Sequence, residues 1–517
     1  MKLNLYLFSA IVVAFIYANT SIAQTTYSAT ASGKWSTMTW NPAGTPGALD
    51  NVIIPDADTV TIDQKNITIN DLTVGGGTSG ILQFSKVDTT AVVINGNILV
   101  QAGATFKVQT NTLGGTGLLH TLELKGNLTH NGSVFDFRSG TAGSTLSVCN
   151  LTLSGTTNST LTLSTPYSTV NGDFNAVTIN KTGGAKVILG SNIYVSGGSS
   201  TGPPALTSIL TFVSGIIETG NYILVCQSTT SANVTGYSSA SYIVGAMGRG
   251  MSSSAGATKD FPVGDALGYR IFNLRSTTSG AGTGHYAIVR CIPGIASTGS
   301  SIFTNGIDKV SHVRYYQIMF NHGIITTPSM SFDRFRPSYG LDDGVTAGNT
   351  NLRVAYSIDS LATWNGFNQT TPDTTNLTAP PTSFHPDSLG TPITLNSGVG
   401  SIYVAFARVA GSTENTLENN TGVKDQSVNP LSFNLSQNYP NPFNPSTMIN
   451  FAISKRSLVT LKIFNVLGKE VSTLINSEKE PGTYNINFNA GKLSNGVYFY
   501  KLTAGNYSSV KKMILMK

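Results

Sequence analysis

One local phrase returns between Trp35 and Leu224, and it restricts the fold more than any other feature of the chain. Val92-Val93-Ile94-Asn95-Gly96-Asn97-Ile98 is echoed by Leu122-Glu123-Leu124-Lys125-Gly126-Asn127-Leu128, more loosely by Thr169-Val170-Asn171-Gly172-Asp173-Phe174, and again by Val187-Ile188-Leu189-Gly190-Ser191-Asn192-Ile193. Each copy is an alternating strand, a polar corner holding Gly, and the start of another strand. Such a unit, whose first echo comes about 30 residues later, cannot enclose a core alone, but stacked copies bury one continuous core between them. A parallel β-solenoid is therefore expected, with Gly or Asn reaching positive φ at the corners. The spacing is irregular, and β-sandwiches, also built of short strands, are the alternative. Composition agrees with β-structure in either case, because only 11% of residues are charged and 54 are Gly, while Thr, Ser and Asn fill exposed positions.

The rest of the chain divides by texture. Lys2, the apolar run Leu5 to Tyr17 and the small residues of Ser21-Ile22-Ala23 form a signal peptide over residues 1–23, with cleavage expected between Ala23 and Gln24. Residues 24–228 carry the solenoid pattern, and Trp35 and Trp40 are placed to cap its open end; a glycan-binding platform is the other reading of these two rings. From 229 to 408 strands lengthen and aromatics multiply, as expected of a β-sandwich-like region of one or two domains. Residues 409–430 are polar and without period, a linker. Residues 431–517 return to short alternating strands, expected to form a small Ig-like β-sandwich. The fold class is thus all-β throughout.

The pI of about 9.0 does not indicate a nucleic-acid partner, because the charge is local. From Leu431 onward ten Lys and Arg face three Glu, whereas Gln24 to Pro430 holds twenty basic and twenty-two acidic residues. Cys149, Cys226 and Cys291 show no metal-ligand spacing and imply no disulfide framework; Cys149, in the alternating run Leu146 to Leu151, reads as a buried free thiol, with one disulfide pair in an oxidising compartment as the alternative. No HExxH, GxSxG or phosphate-loop motif occurs, so neither a cofactor nor a catalytic residue is assigned. Between Thr89 and Lys259 the only acids are Glu123, Asp136, Asp173 and Glu218, with Arg138 close to the second, too sparse in sequence to define a groove. Asp308, Asp333 and Asp342-Asp343-Gly344 are candidates for a divalent-cation loop, although Asp-Asp-Gly between strands reads more simply as a turn. Arg249, Arg270, Arg290 and Arg314 read as surface or interdomain pairs.

Four segments of the tail occur in a telling order: Asn438 to Thr447, containing Tyr439-Pro440-Asn441-Pro442-Phe443; Ile463 to Val471, containing Gly468; Leu493 to Tyr500, containing Gly496-Val497-Tyr498; and Lys511-Lys512 to Lys517. Together they resemble the type A C-terminal sorting domain, or Por secretion tail, of proteins exported by the type IX secretion system of Gram-negative bacteria. The resemblance covers only the tail, and it implies a route rather than a chemistry. Its implied partners are the secretion machinery and its C-terminal processing peptidase, with surface glycolipid or extracellular polysaccharide at the destination. The implied location is secreted or on the outer-membrane cell surface. The head, Trp40-Asn41-Pro42 through Asp63, is similar to the opening of β-helical secreted surface proteins, and Phe261-Pro262-Val263-Gly264-Asp265 resembles a phrase common in cargo of the same route. The expected function is a structural or adhesive surface protein that is not an enzyme. A carbohydrate-binding protein ranks second and a polysaccharide-degrading enzyme on a β-helix third.

Overall fold

The computed structural model describes residues 24–112, 117–132, 134–139, 146–164, 174–195, 209–251, 258–277, 285–297, 300–322, 329–345, 351–367, 382–383, 392–396, 400–418, 433–435, 437–438, 441, 443–479 and 482–516. The signal peptide and Ala23 lie outside them, as do Asp173, Tyr439, Pro440 and Pro442. The chain forms two compact units, residues 1–419 and 420–517. Among the described residues every element is a strand except three single turns of 3-10 helix.

The first unit begins as a three-sided parallel solenoid. Asn51–Ile54, Thr59–Ile62 and Asn66–Ile69 lie on the first, second and third faces; Leu72–Val74, Ile81–Phe84 and Ala91–Ile94 repeat the order, then Ile98–Val100, Thr105–Lys107 and Leu118–Leu124. Each strand hydrogen-bonds in parallel to its counterpart in the next turn. Because side chains alternate across a strand, in-register stacking puts like on like. Leu72, Ile98, Leu128, Leu161 and Leu189 form one buried aliphatic file on the first face, flanked by the outward file Thr73, Leu99, Thr129 and Thr162. Burying each such aliphatic side chain stabilises the stack by about 1.5–3 kcal/mol. Phe84, Phe106, Phe135, Phe137 and Phe174 fill the interior as a chain of rings with centroids 4.5–6.1 Å apart.

The corner glycines of the repeated phrase differ from expectation. Gly96, Gly126 and Gly190 are absent from the positive-φ residues. They are glycines because successive turns touch there: a Cβ on Gly126 would sit 2.3 Å from the Gly96 carbonyl oxygen, and one on Gly96 would sit 2.1 Å from an Asp71 carboxylate oxygen. The neighbouring Asn then links turn to turn. The Asn97 backbone N–H donates to the Asp71 carboxylate, the Asn127 N–H to the Asn97 side-chain oxygen at 2.9 Å, and the Thr160 N–H to that of Asn127 at 2.8 Å. Asn158 with Lys186 and Asn192 with Ile223 extend the pattern. These side chains satisfy backbone N–H groups at the corners, where strand pairing begins or ends.

Both ends of the solenoid are closed. At the N-terminal end Trp35 and Trp40 are buried edge to face, ring centroids 4.8 Å apart, and the two-residue antiparallel strand Trp40–Asn41 ends the first sheet. Their burial removes the platform alternative. At the other end the boundary expected after residue 228 is no break: rungs continue through Val234–Thr235, Ile243–Val244 and Val263–Asp265. Ile193–Val195, Leu224–Cys226 and Ala246–Gly250 take the second-face position within each turn, and the last of them pairs on its free edge with the antiparallel strand His285–Pro293. The solenoid wall so becomes part of a ten-stranded sheet that runs on through Arg314–His322, Ile402–Val409 and Leu352–Ser357. A second antiparallel sheet holds Thr258–Phe261, Phe272–Ser276, Ser329–Tyr339 and Ile393–Asn396. One core extends from Ala29 to Leu417 because an open solenoid end would leave apolar rungs in water. Leu417 is fully buried and Glu418 pairs with Lys309 and His312, so residues 409–418, expected as linker, are packed on the body, and the rest of that expected segment, from 419 to 430, lies outside the described residues.

The second unit has a three-stranded antiparallel sheet, Asn434–Leu435, Ser446–Ile453 and Gly482–Asn489, and a four-stranded one ordered Glu470–Lys479, Ser457–Asn465, Gly496–Ala504, Tyr507–Leu515. Apolar residues of both sheets meet in one core around Ile449, Phe451, Leu461, Tyr500 and Met513.

Candidate functional site

In the second unit, the first and last of the sequence motifs are joined. The Phe443 N–H donates to the Ile514 carbonyl at 2.9 Å, the Met516 N–H donates to the Phe443 carbonyl at 3.0 Å, and Phe443 is buried beside Leu515. Asn441 accepts from the Ile514 N–H at 2.8 Å and donates to the Lys512 carbonyl. The terminal strand is thus held on one side by Gly496–Ala504 and on the other by Asn441 and Phe443.

The remaining motif residues shape turns and faces. Gly468 at φ 75° closes the loop in which Asn465 accepts from the Leu467 and Lys469 N–H groups, leaving Leu467 87% exposed at its tip. Gly496 opens its strand at φ 151°, Val497 is half-buried, and the Tyr498 hydroxyl donates to the Ser494 carbonyl at 2.8 Å. Lys511 points to the half-buried side of the last strand and Lys512 to solvent. The outer face of the four-stranded sheet sets Phe464 and Phe499 beside Lys512, and Lys462 and Lys501 beside Val510. Of these, Phe464, Phe499, Lys501 and Val510 line a shallow depression with Asn465, Val466 and Gly468.

Three residues at the bounds of the quoted segments, to which the sequence assigns no role of their own, hold the motif in place. Asn438 is completely buried; its N–H donates to the Tyr500 hydroxyl at 2.7 Å and its side chain to the Thr447 hydroxyl at 2.9 Å. Burial pushes the Tyr500 hydroxyl up to about 12, so it stays protonated. The polar signal was present in Asn438 itself, but its partners lie 9 and 62 residues away.

In the first unit the candidate acids serve structural partners. Asp136 caps its own turn by accepting from the Arg138 N–H, and burial raises its carboxyl above the usual range. Glu123 accepts from the Ser154 hydroxyl at 2.6 Å, and Glu218 pairs with Lys186 at 2.6 Å. Asp308 pairs with Arg408, and Asp333 pairs through both oxygens with Arg275. Asp342 and Asp343 form the 3-10 turn Leu341–Asp343, ended by Gly344 at φ 65°, which is the turn reading of that motif. Their carboxylates meet Arg270 and Arg314 rather than an open cation loop, and Arg314 also donates to Asp265 at 2.8 Å. This cluster, buried except at the partly exposed Asp342, joins the final rung of the solenoid to the ten-stranded sheet. Burial raises the Asp343 carboxyl against the pull of the two arginines.

The other candidates are spread apart. Arg249 is buried and donates to the Asp260, Thr230 and Ser231 carbonyls, and Arg290 donates to the Gly220 carbonyl at 3.0 Å. All three cysteines are buried free thiols, and burial raises each pKa. His120 is enclosed in the solenoid, where burial lowers it to about 4 while its Nδ1 meets Thr90. Gln24 lies exposed and donates to Asn51 at 3.0 Å. Among the described residues no group of three or more His, Cys, Asp or Glu is placed to hold a metal ion, and no helix is long and apolar enough to cross a membrane.

The motif segments that carry the resemblance thus fall within one compact C-terminal β-unit with its own core. Residues 437–516 match the family described as the secretion system C-terminal sorting domain. The chain carries that domain and is cargo of the type IX secretion system, recognised by its machinery and secreted. No curated protein and no solved structure matches the chain.

Proposed function

We propose that the exported body is a structural or adhesive surface protein without hydrolase or lyase activity. The observation that supports this is the use made of its carboxylates. Glycoside hydrolysis needs two carboxyl groups converging on one substrate bond, and calcium-dependent lyase chemistry needs an acidic cluster open to the ion. Here Glu123, Asp136, Glu218, Asp308 and Asp333 sit apart, each held by a structural partner. A stiff, closed solenoid with a threonine-rich outer file suits an extended surface module better than a catalytic groove.

The adhesive reading extends to the route. The signal peptide takes the chain across the inner membrane, and the sorting unit is removed between Glu418, the last described residue held on the body, and Asn434–Leu435, where the sorting unit's strands begin. The test is a screen of the purified full chain against a panel of polysaccharides for release of reducing or unsaturated sugars. None is expected; release that is lost in Asp136→Ala would overturn the reading. The same chain should retain whole cells of the producing species on a coated surface.

A further inference from the structure

The second antiparallel sheet of the first unit has a polar face that the motifs did not anticipate. Antiparallel register sets Thr258, Arg275 and Arg334 in one cross-strand row and Asp260, Asn273 and Arg336 in the next. The intervening Lys259, Leu274 and Phe335 are buried on the opposite face, so both rows share the outer one. Three guanidinium groups therefore stand on neighbouring strands within one patch.

The acids nearby offset only part of it, two carboxylates against three guanidinium groups, and Asp260 itself favours the Arg336 charge. Asp333, at the bulge beside Ser276, is bound through both oxygens to Arg275. One Asp260 oxygen accepts from the Tyr237 hydroxyl at 3.0 Å and the other from the Asn273 side chain at 2.6 Å. Arg336 is left with its Nε buried and without a hydrogen-bond acceptor among the described residues. A buried unpaired guanidinium donor is costly, and like charges on adjacent strands add to the cost. Burial and the proximity of Arg334 and Arg275 both work against the Arg336 charge. An oxyanion at the accessible part of the half-buried Arg336 guanidinium would relieve the like-charge penalty, and a planar guanidinium fork matches carboxylate or sulfate geometry.

We infer that the outer face formed by Arg275, Arg334 and Arg336 binds a carboxylate or sulfate group carried on an extracellular polysaccharide. The ligand is placed on a polymer because the three arginines are spread over two adjacent strands of a sheet face, suited to an extended chain with repeated charges. This deepens the adhesive reading above and rests on it.

Binding of the purified full chain to immobilised polygalacturonate, dextran sulfate and neutral dextran tests the site, with inorganic sulfate as the free-anion arm. One or both charged polymers should bind, the neutral one should not, and added salt should weaken the interaction. Arg336→Gln should weaken it by about tenfold or more, as loss of a charge-assisted hydrogen bond does. Arg336→Lys, keeping the charge but not the fork, should fall between, while Arg456→Gln on the exposed Arg456–Glu478 pair of the other unit should change nothing. A thermal melt of each variant checks the fold, and Arg334→Gln replaces Arg336→Gln should that variant unfold. Equal binding by all variants, no polymer binding, or retention of inorganic sulfate alone overturns the site. Cell adhesion that persists unchanged in Arg336→Gln overturns this site while leaving the adhesive reading standing.

Discussion

Gly126 shows how much a single residue can carry in a stacked fold. Its sequence context marks a corner, and the position of that corner was legible from the repeated phrase. The reason was not, because the atom that forbids a side chain there is the carbonyl oxygen of Gly96, one turn earlier. Backbone cannot yield to a new Cβ as a flexible side chain can. Gly126→Ala should therefore destabilise the first unit by about 1–3 kcal/mol, as overpacking in a close-packed interior does. Gly33 is the control: its φ is not positive and a Cβ there would meet only Met38 Cε, at 3.6 Å. Urea unfolding should show a lower midpoint for Gly126→Ala and no measurable change for Gly33→Ala. Equal midpoints for the two variants would show that the turns are not in contact at the corners.

At the level of elements, the transition from solenoid to antiparallel sheet depends on residues distant in sequence. The turn made by Asp342, Asp343 and Gly344 could be read from its composition, yet nothing local identified Arg270 and Arg314 as its partners, 72 and 29 residues away. Arg314 is completely buried and is the only group that reaches Asp265, Asp342 and Asp343 together in the described structure. Removing it strands buried carboxylates, which typically costs about 3–5 kcal/mol. Arg314→Met should accordingly lower the unfolding midpoint far more than Arg290→Met, whose guanidinium donates to an exposed Gly220 carbonyl. Circular dichroism during urea titration measures both. The parallel rungs themselves were legible because alternation reports burial directly. The merging of sheets at residues 246–250 was not, since a strand pairing in parallel on one edge and antiparallel on the other has the same pattern as any buried strand.

For the whole molecule, the two units divide the work: the body meets the outside, and the terminal unit sets the route. The terminal strand is where this division can be cut. Lys511 to Leu515 lies in the strand Tyr507–Leu515, which contributes the buried Met513 and Leu515 to the core and pairs along its full length with Gly496–Ala504. The same segment receives Phe443 and Asn441 of the first motif. Deleting residues 511–517 thus exposes a sheet edge, opens the core and releases Asn441 and Phe443 in one step. In a host possessing the secretion machinery the truncated protein should accumulate in the periplasm, while Cys149→Ser, which alters only a buried thiol of the body, should be exported normally. Lys512→Ala separates fold from surface: Lys512 faces solvent beside Phe499, so this variant keeps the unit folded and removes one charge from its apolar, basic face. Slower export of Lys512→Ala with an unchanged melt would identify that face as the one the machinery reads. Fractionation followed by mass determination of the surface form completes the test, since the mature protein should end between Glu418 and Asn434. Normal surface display of the truncated chain, or a surface form that still carries the terminal unit, would contradict the division of work between the two units.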